Sequence, residues 1–544
     1  MHLLTYYLGR AIRRALWLTT TTLLLAAHAS QVNAIAAQVP GDLDLSFAGG
    51  AGAIASLVIG SGAHDHLTAM AMQPDGKMVL AGYCDGPTSQ DFCMARINAD
   101  GTLDTTFVGP SGNGGGKFLL DISNASDTAS AVAIQPDGKI IIAGSCYNGV
   151  NSDFCIARLN PNGSRDSTFN GPGGAGNGQV MLPIGFSDDY ATAMTLQPDG
   201  KIVLVGYCYV TNQNDFCAAR LNVNGSFDTS FVGPSGTGVG KIAFSVGSFD
   251  DYAQAVALQS DGMIVIAGYC VGAMGDNDFC VARLDKVGAL DPTFDGPSGS
   301  SNGKFLLPIG TSGDNASALL IQPDGKIVVA GSCLVSAANY DFCITRLNTD
   351  GSLDASFDGP SGVGNGKFLL PITAAKSDSA AALALQPDGK ILIAGHCDNG
   401  GNADFCVARL HIDGSLDTTF DGPSGSSNGK FLLPIGSSDD IATAMLLHPD
   451  GKIVVGGDCY SGAPVHFCVA RLYGGPFGYK NCTMDIDGDG KVLANTDGLL
   501  LARIALGRSG SSVLAVAISP TATRDTWPKI RDYLVNLCGM TVAP

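Results

Sequence analysis

QPDGKIVVAGSCLVSAANYDFCITRLNTDGSLDASF, residues 322–357, opens on a turn and continues as two strands. Proline at 323 presets φ, aspartate at 324 bonds its own backbone, and glycine at 325 accepts a positive φ. The apolar runs 326–333 and 341–347 that follow read as strands separated by a variable loop. Upstream, residues 304–309 (KFLLPI) form another apolar run and residues 316–322 an alternating, alanine-rich one. The four runs are expected to build one antiparallel sheet per copy.

The pattern recurs. Asp-Gly-Lys or a close variant begins at Asp75, Asp137, Asp199, Asp261, Asp324, Asp388 and Asp450, at intervals of 62 to 64 residues. A four-stranded sheet has two faces to bury and cannot bury them alone, so the seven copies must stack. Closed propellers typically have four to eight blades, and seven fits closure. A linker motif, Leu-Asp-x-x-Phe, with Arg165 and Phe227 in place of the leucine in copies two and three, follows the last strand of the first six copies (Leu353 to Phe357, for example) and is missing after the seventh. It stands instead at the other end of the chain, as Leu43-Asp44-Leu45-Ser46-Phe47. The N-terminal segment is therefore expected to fill the junction between blades seven and one. The fold class is all-β: a seven-bladed β-propeller over residues 41–475.

DGKIVVAG, DFCVARLN and DGSLDxxF, recurring in that order, resemble the bacterial delta-60 repeat, which is regarded as propeller-forming. The resemblance covers roughly residues 41–475 and implies a fold more than an activity, since propellers host both enzymes and binding platforms. The cysteines and the Gly-Pro-Ser-Gly insert depart from the simpler repeat.

Cysteines sit two per blade around the variable loop: Cys84/Cys93, Cys146/Cys155, Cys208/Cys217, Cys270/Cys280, Cys333/Cys343, Cys397/Cys406 and Cys459/Cys468. Pairing within each blade is the simplest connectivity, and a disulfide closing a loop of about ten residues stabilises by roughly 2.5–3 kcal/mol at most. The spacing is too wide for a zinc knuckle and no histidine accompanies each pair. Cys482 and Cys538 bracket the C-terminal segment and are expected to pair with each other.

Two charged positions also repeat. An aspartate lies ten residues before each turn (Asp65, Asp127, Asp189, Asp251, Asp314, Asp378, Asp440), and an arginine three residues after each second cysteine (Arg96, Arg158, Arg220, Arg283, Arg346, Arg409, Arg471). Buried charges need partners, so Asp–Arg contacts within or between blades are expected. Catalytic machinery occurs once whereas structural machinery repeats, so an enzyme would be sought among residues that break the pattern. These are His64, His66, His396, His411 and His466, in blades that a closed ring makes neighbours. None of the 49 acidic residues is glutamate, and no Gly-x-Ser-x-Gly or His-Glu-x-x-His motif is present. No catalytic residue is assigned.

A basic stretch (Arg10, Arg13, Arg14), an apolar run at 15–27 and small residues ending at Ala29 or Ala34 predict a signal peptide, residues 1–34. Export suits the cysteines. The formal charge of −18 makes nucleic acid and anionic lipid unsuitable partners. No membrane span is expected, and 73 glycines with no glutamate fit strands joined by tight turns.

Composition shifts after Phe477. In Asp485-Ile-Asp-Gly-Asp-Gly-Lys491, the carboxylates of Asp485, Asp487 and Asp489, a bend at Gly490 and the carbonyl of Lys491 match positions 1, 3, 5, 6 and 7 of an EF-hand loop. The closing acid is Asp497, one residue late, and it begins an expected helix over 497–506. A loop of this kind followed by Leu-Leu-x-x-Arg resembles a type I dockerin repeat. The resemblance implies a small helical module over 478–544 that binds one calcium ion, with a second helix at 527–537 and a partner to dock. The sequence thus points to a secreted or cell-surface monomer, a non-enzymatic scaffold binding an extracellular protein or glycan. The competing reading is a propeller hydrolase or lyase acting on polysaccharide.

Overall fold

Each Pro-Asp-Gly segment is the tight turn its residues demand. In the first copy the Gly76 N–H bonds the Gln73 carbonyl at 2.9 Å and the Gln73 N–H bonds the Lys77 carbonyl at 2.8 Å. Gly76 itself sits at φ +82°, a left-handed position that only glycine adopts without strain. The turn joins Asp65–Met72 to Met78–Asp85, and a loop then leads to Gln90–Ile97. In this computed structural model the described residues are 40–475, short loop stretches excepted, and parts of 486–534.

Seven four-stranded antiparallel sheets result. The first strand of each contacts its counterparts in both neighbouring sheets, so these seven strands ring the centre. Small side chains suit them because the blades converge there. Their path bends at a β-bulge, between Leu67 and Ala69 in blade one, and the glycine opposite is obligatory: a methyl group on Gly82 would collide with the His66 carbonyl. The second and third strands are buried along most of their length because blades cover both faces, which is why they read as continuous apolar runs. Between blades one and two, for example, Val79, Phe92, Met94 and Phe107 pack on Ile140, Ile142 and the Cys146 and Cys155 pair.

The cysteines pair within blades, as their spacing suggested. The bonds are Cys84–Cys93, Cys146–Cys155, Cys208–Cys217 and Cys270–Cys280 in blades one to four. Blades five to seven carry Cys333–Cys343, Cys397–Cys406 and Cys459–Cys468. Cα separations of 5.7 to 5.9 Å lie within the range a disulfide spans. Each bond staples the second strand of a blade to its third: Cys93 lies opposite Gly82, Cys217 opposite Gly206 and Cys280 opposite Gly268. Cys343, Cys406 and Cys468 likewise face Gly331, Gly395 and Gly457. With their sulfur atoms joined in pairs, these fourteen residues are structural cross-links and not ligands of a site. Cys482 and Cys538 lie outside the described residues.

The structure corrects the grouping of strands. The KFLL run Lys304–Leu307 pairs with Asn277–Leu284, the third strand of the preceding blade, and not with the alanine-rich strand that follows it. Each KFLL run is thus the outer strand of the blade before. Blade seven has no such run after it, and Ile54–Leu57 takes the place, Ile54 lying opposite Ala470 and Leu57 opposite Phe467. The N-terminal segment closes the ring as expected.

The charge pairing is corrected as well. The repeating arginines bond the aspartate of Leu-Asp-x-x-Phe, and not the aspartate that precedes the turn. Arg96 Nε donates to Asp104 Oδ2 at 2.7 Å, the guanidinium lies 4.5 Å above the Phe107 ring, and Nη1 donates to the Pro161 carbonyl of the next blade. The same lock recurs in every blade. In the seventh its acid is Asp44 from the N-terminus, 2.7 Å from Arg471, with Phe47 beneath the guanidinium at 4.5 Å. The reason is distance: Asp65 lies opposite Cys84 and Arg96 opposite Val79, five residues apart on one strand and so about 17 Å at ~3.3 Å per residue.

In the C-terminal segment, Leu499, Leu500, Arg503 and Ile504 are helical, in keeping with the helix expected at 497–506. Further helices lie at Ser511–Leu514, which the sequence reading did not foresee, and at Trp527–Asp532. Ile486, Leu500, Val513, Ile530 and Leu534 form their common core. Among the described residues no helix is long and apolar enough to cross a membrane.

Candidate functional site on the loop face

The two faces of the ring differ in kind. One carries the Pro-Asp-Gly and Asp-Gly-Ser turns and the seven arginine locks. The other, the loop face, carries the cysteine-flanked loops and the linkers between blades.

The repeating aspartates hold the loop face in place. Asp65 accepts the Ile59 and Gly60 N–H groups at 2.6 and 3.0 Å, and Asp189 those of Ile184 and Gly185 at 2.7 and 2.9 Å. Equivalent bonds tie each linker to Asp127, Asp251, Asp314, Asp378 and Asp440. These carboxylates satisfy backbone donors that would otherwise be orphaned where the chain crosses between blades.

Within this frame one pair of positions varies at every junction. The residue after the repeating aspartate meets, across the blade boundary, the residue before the first cysteine of the preceding blade. Between blades seven and one the pair is Asp458 and His66: Oδ2 lies 2.6 Å from Nδ1, and Oδ1 accepts the Leu67 N–H at 2.8 Å. The bond to Asp458 raises the His66 pKa, and the Tyr83 ring lies 4.8 Å from the imidazole. Between blades three and four the pair is Tyr207 and Tyr252, whose rings meet edge-on at 4.9 Å. Tyr190 and Tyr269 extend this aromatic cluster on either side. Between blades five and six the pair is Ser332 and Ser379, lining a cavity of about 330 Å³.

The histidines singled out from the sequence scatter. His64 and His66 stack with centroids 6.2 Å apart, and His396 lines the cavity in blade six. His466 is the second residue of the third strand of blade seven, opposite Cys459. His411 is on the turn face, 45 % exposed and 3.7 Å from Asp417. Asp458 and Tyr83 escaped the sequence reading. The signal was in the repeat, where the residue before the first cysteine runs Tyr, Ser, Tyr, Tyr, Ser, His and Asp around the ring.

Of the proposed calcium ligands only Asp487 is described. It is buried, and its Oδ2 accepts the Ser519 N–H at 2.8 Å. Asp485, Asp489, Lys491 and Asp497 lie outside the described residues. A separate carboxylate cluster, Asp91, Asp121 and Asp127, brings ligand atoms within 4.8 Å of one another between blades one and two. Burial, then the charges of Asp121 and Asp127, push Asp91 up to about 6, so a proton relieves part of this repulsion.

The buried acids set the pH dependence of stability. Burial pushes Asp189, Asp251 and Asp278 up to about 6, from roughly 3.9 in the unfolded chain. A raised carboxyl contributes stability that is present below about 4 and lost as pH climbs through about 6. The lock aspartates behave oppositely: against the cost of burial, bonds from Ser230 and Lys201 and the Arg220 charge hold Asp228 at about 2. Their contribution is lost only as pH falls below about 4. The melting temperature is therefore expected to rise from pH 7 to a maximum between about 4 and 5 and to fall below it. A scan from pH 3 to 8 checks this, and a steady decline from pH 7 downward would refute it.

Seven segments, residues 73–107, 135–169, 197–231, 259–294, 322–357, 386–420 and 448–472, match a beta-propeller domain of unknown function (DUF5122). Each of the first six ends on the phenylalanine of Leu-Asp-x-x-Phe, and the seventh stops at Leu472, where that motif is supplied by the N-terminus. No curated protein sequence matches the chain. Among solved structures, a streptogramin B lyase is 11 % identical with a TM-score of 0.43, covering 77 % of this chain and 97 % of that one. Sqt1 from Chaetomium thermophilum is 12 % identical at 0.38, covering 77 % and 99 %. The polysaccharide lyase Uly1 is 13 % identical at 0.41, covering 75 % and 90 %.

Proposed function

We propose that this chain is an exported, non-enzymatic binding platform whose loop face engages an extracellular protein or glycan. The observation that carries the reading is the asymmetry of the ring: the turn face repeats one lock seven times, whereas the loop face differs at every junction. The loop face also exposes large apolar side chains along its rim in blades two to four. Val150, Phe186 and Met274 are 84, 92 and 95 % exposed. Residues 1–34 serve as the export signal in this reading, and 478–544 as a dockerin-like module that binds calcium and docks a second partner.

A screen of the exported protein against glycans and secreted proteins, with and without calcium, tests the reading. Binding that Phe186→Ser and Met274→Ser weaken at least tenfold is expected. Binding insensitive to both would place the partner elsewhere. For the C-terminal module, calorimetry on the full chain should find one calcium ion per molecule, and Asp489→Ala should weaken it severely. No heat, or equal affinity in the variant, would remove calcium from the account.

One observation favours the second reading, a polysaccharide lyase or hydrolase. His66 and Asp458 form a non-repeating, hydrogen-bonded pair, with the Tyr83 ring against the imidazole, of the kind general acid–base chemistry uses. If the site turns over, His66→Gln abolishes depolymerisation while leaving polymer binding intact.

A further inference from the structure

The cavity between blades five and six exists because two side chains are small. At the equivalent junction of blades three and four, Tyr207 and Tyr252 fill the same space with their rings. Ser332 and Ser379 stand at those register positions here, as Ser332 lies opposite Asn315 and Ser379 opposite His396. What remains is about 330 Å³, at the lower end of the range for small-molecule pockets, roughly 300–1,000 Å³.

Most of the residues that line it are polar by type, while carbon atoms make up the larger part of the exposed wall. Ser332, Ser379, Tyr340 and Asn315 offer hydroxyl and amide groups, and Tyr340 adds an aromatic ring. His396 Nδ1 is buried in the wall with no hydrogen-bond partner among the described residues, although a buried polar atom ordinarily has one. Burial lowers the His396 pKa, so the ring is neutral at pH 7 and presents one donor and one acceptor. Among the described residues no lysine or arginine lines the cavity, and Asp378 and Asp398 do, which disfavours a sulfated or carboxylated ligand. Asp378 is already engaged by the Ile372 and Thr373 N–H groups.

We propose that this cavity is a sugar subsite that takes one neutral pyranose unit of an extracellular glycan, with the serine hydroxyls and the more accessible His396 Nε2 bonding its hydroxyl groups. The inference rests on the reading of the loop face as a binding surface and names the ligand for one part of it. A pyranose matches the wall, having many hydroxyls that both donate and accept, no charge, and an apolar ring face suited to Tyr340.

The test uses the full-length exported protein and the methyl glycosides of glucose, galactose, mannose and N-acetylglucosamine, observed by saturation-transfer NMR and titrated. At least one glycoside is expected to bind, with Ser332→Tyr and Ser379→Tyr each weakening it at least tenfold. Both variants should fold, because the ring already carries tyrosine at those positions as Tyr83, Tyr207 and Tyr269 and as Tyr190 and Tyr252. An unchanged melting temperature verifies that. His396→Phe keeps the ring shape, removes both nitrogens and should weaken binding comparably. Saturation transfer from none of the four glycosides, or binding that survives both tyrosine variants, overturns the subsite. If the screen of proteins and polymeric glycans still finds a loop-face partner in that event, only the subsite falls; if it too finds none, the platform reading falls with it.

Discussion

A chain lacking residues 40–57 is expected to lose at least about 5 kcal/mol of stability against urea, or to fail to form a closed ring. Three contributions go together. The outer strand Ile54–Leu57 leaves Val465–Leu472 with an unpaired edge. Phe47, fully buried between blades seven and one, leaves a void, and losing a buried phenylalanine costs about 3–5 kcal/mol. Asp44, also fully buried, takes with it the partner of Arg471 and Lys452, at 2.7 and 2.9 Å. Stranding one member of a buried pair costs about 3–5 kcal/mol. The terms are not additive, since they share one site. Asp44→Asn isolates the charge: it keeps the shape and the acceptor that takes the Ser46 N–H and hydroxyl, and should cost about half as much as the deletion. A truncated protein that unfolds at the same urea concentration as the intact one would show that the ring is held shut elsewhere.

The second large effect belongs to Arg409. It is only 1 % exposed; Nε donates to Asp417 at 2.8 Å, the guanidinium lies 4.4 Å over Phe420, and Nη1 bonds the Gly474 carbonyl. Arg409→Met leaves Asp417, itself 1 % exposed, with the Lys390 ammonium at 3.5 Å and the His411 ring at 3.7 Å, and should cost about 3–5 kcal/mol. Adding Asp417→Asn should recover a substantial part. The second change removes the stranded charge while keeping the oxygen that accepts the Thr419 N–H and hydroxyl at 3.1 and 2.6 Å. Denaturant unfolding of the two single variants and the double one completes a cycle. If the double variant is no more stable than Arg409→Met, the loss is one of packing over Phe420 and not of charge pairing.

Legibility divides along the same lines as these interactions. The turns, the apolar runs, the cysteine pairs and the count of seven were readable because each is a local pattern whose cause lies within a few residues. Cys93 and Cys84, for instance, are nine positions apart and meet across one hairpin. Closure was readable too, since a motif missing at one end of the chain and present at the other admits one arrangement. The outer strand was misassigned for a physical reason. Residues 304–307 follow one blade and precede the next, and their amphipathic pattern would suit either sheet edge. The Asx turn built on Asp291, which pairs with Arg283, returns the chain against the blade it has just left.

The site was less legible than the fold. Periodicity identified which aspartates and arginines repeat, but every repeating acid was an equal candidate for every repeating base until strand register separated them. The junction pairs are harder still. His66 and Asp458 are 392 positions apart, yet their side chains meet at 2.6 Å because the ring closes between them. The cavity between blades five and six depends on two serines 47 positions apart on different sheets. By itself, then, the sequence determined the repeating unit, its number, its cross-links and its closure, all of which arise from local backbone preference and the need to bury two faces of each sheet. Only the tertiary structure decided which residues of neighbouring blades share a junction, because that depends on where closure and strand register set each side chain, and no local interaction encodes it.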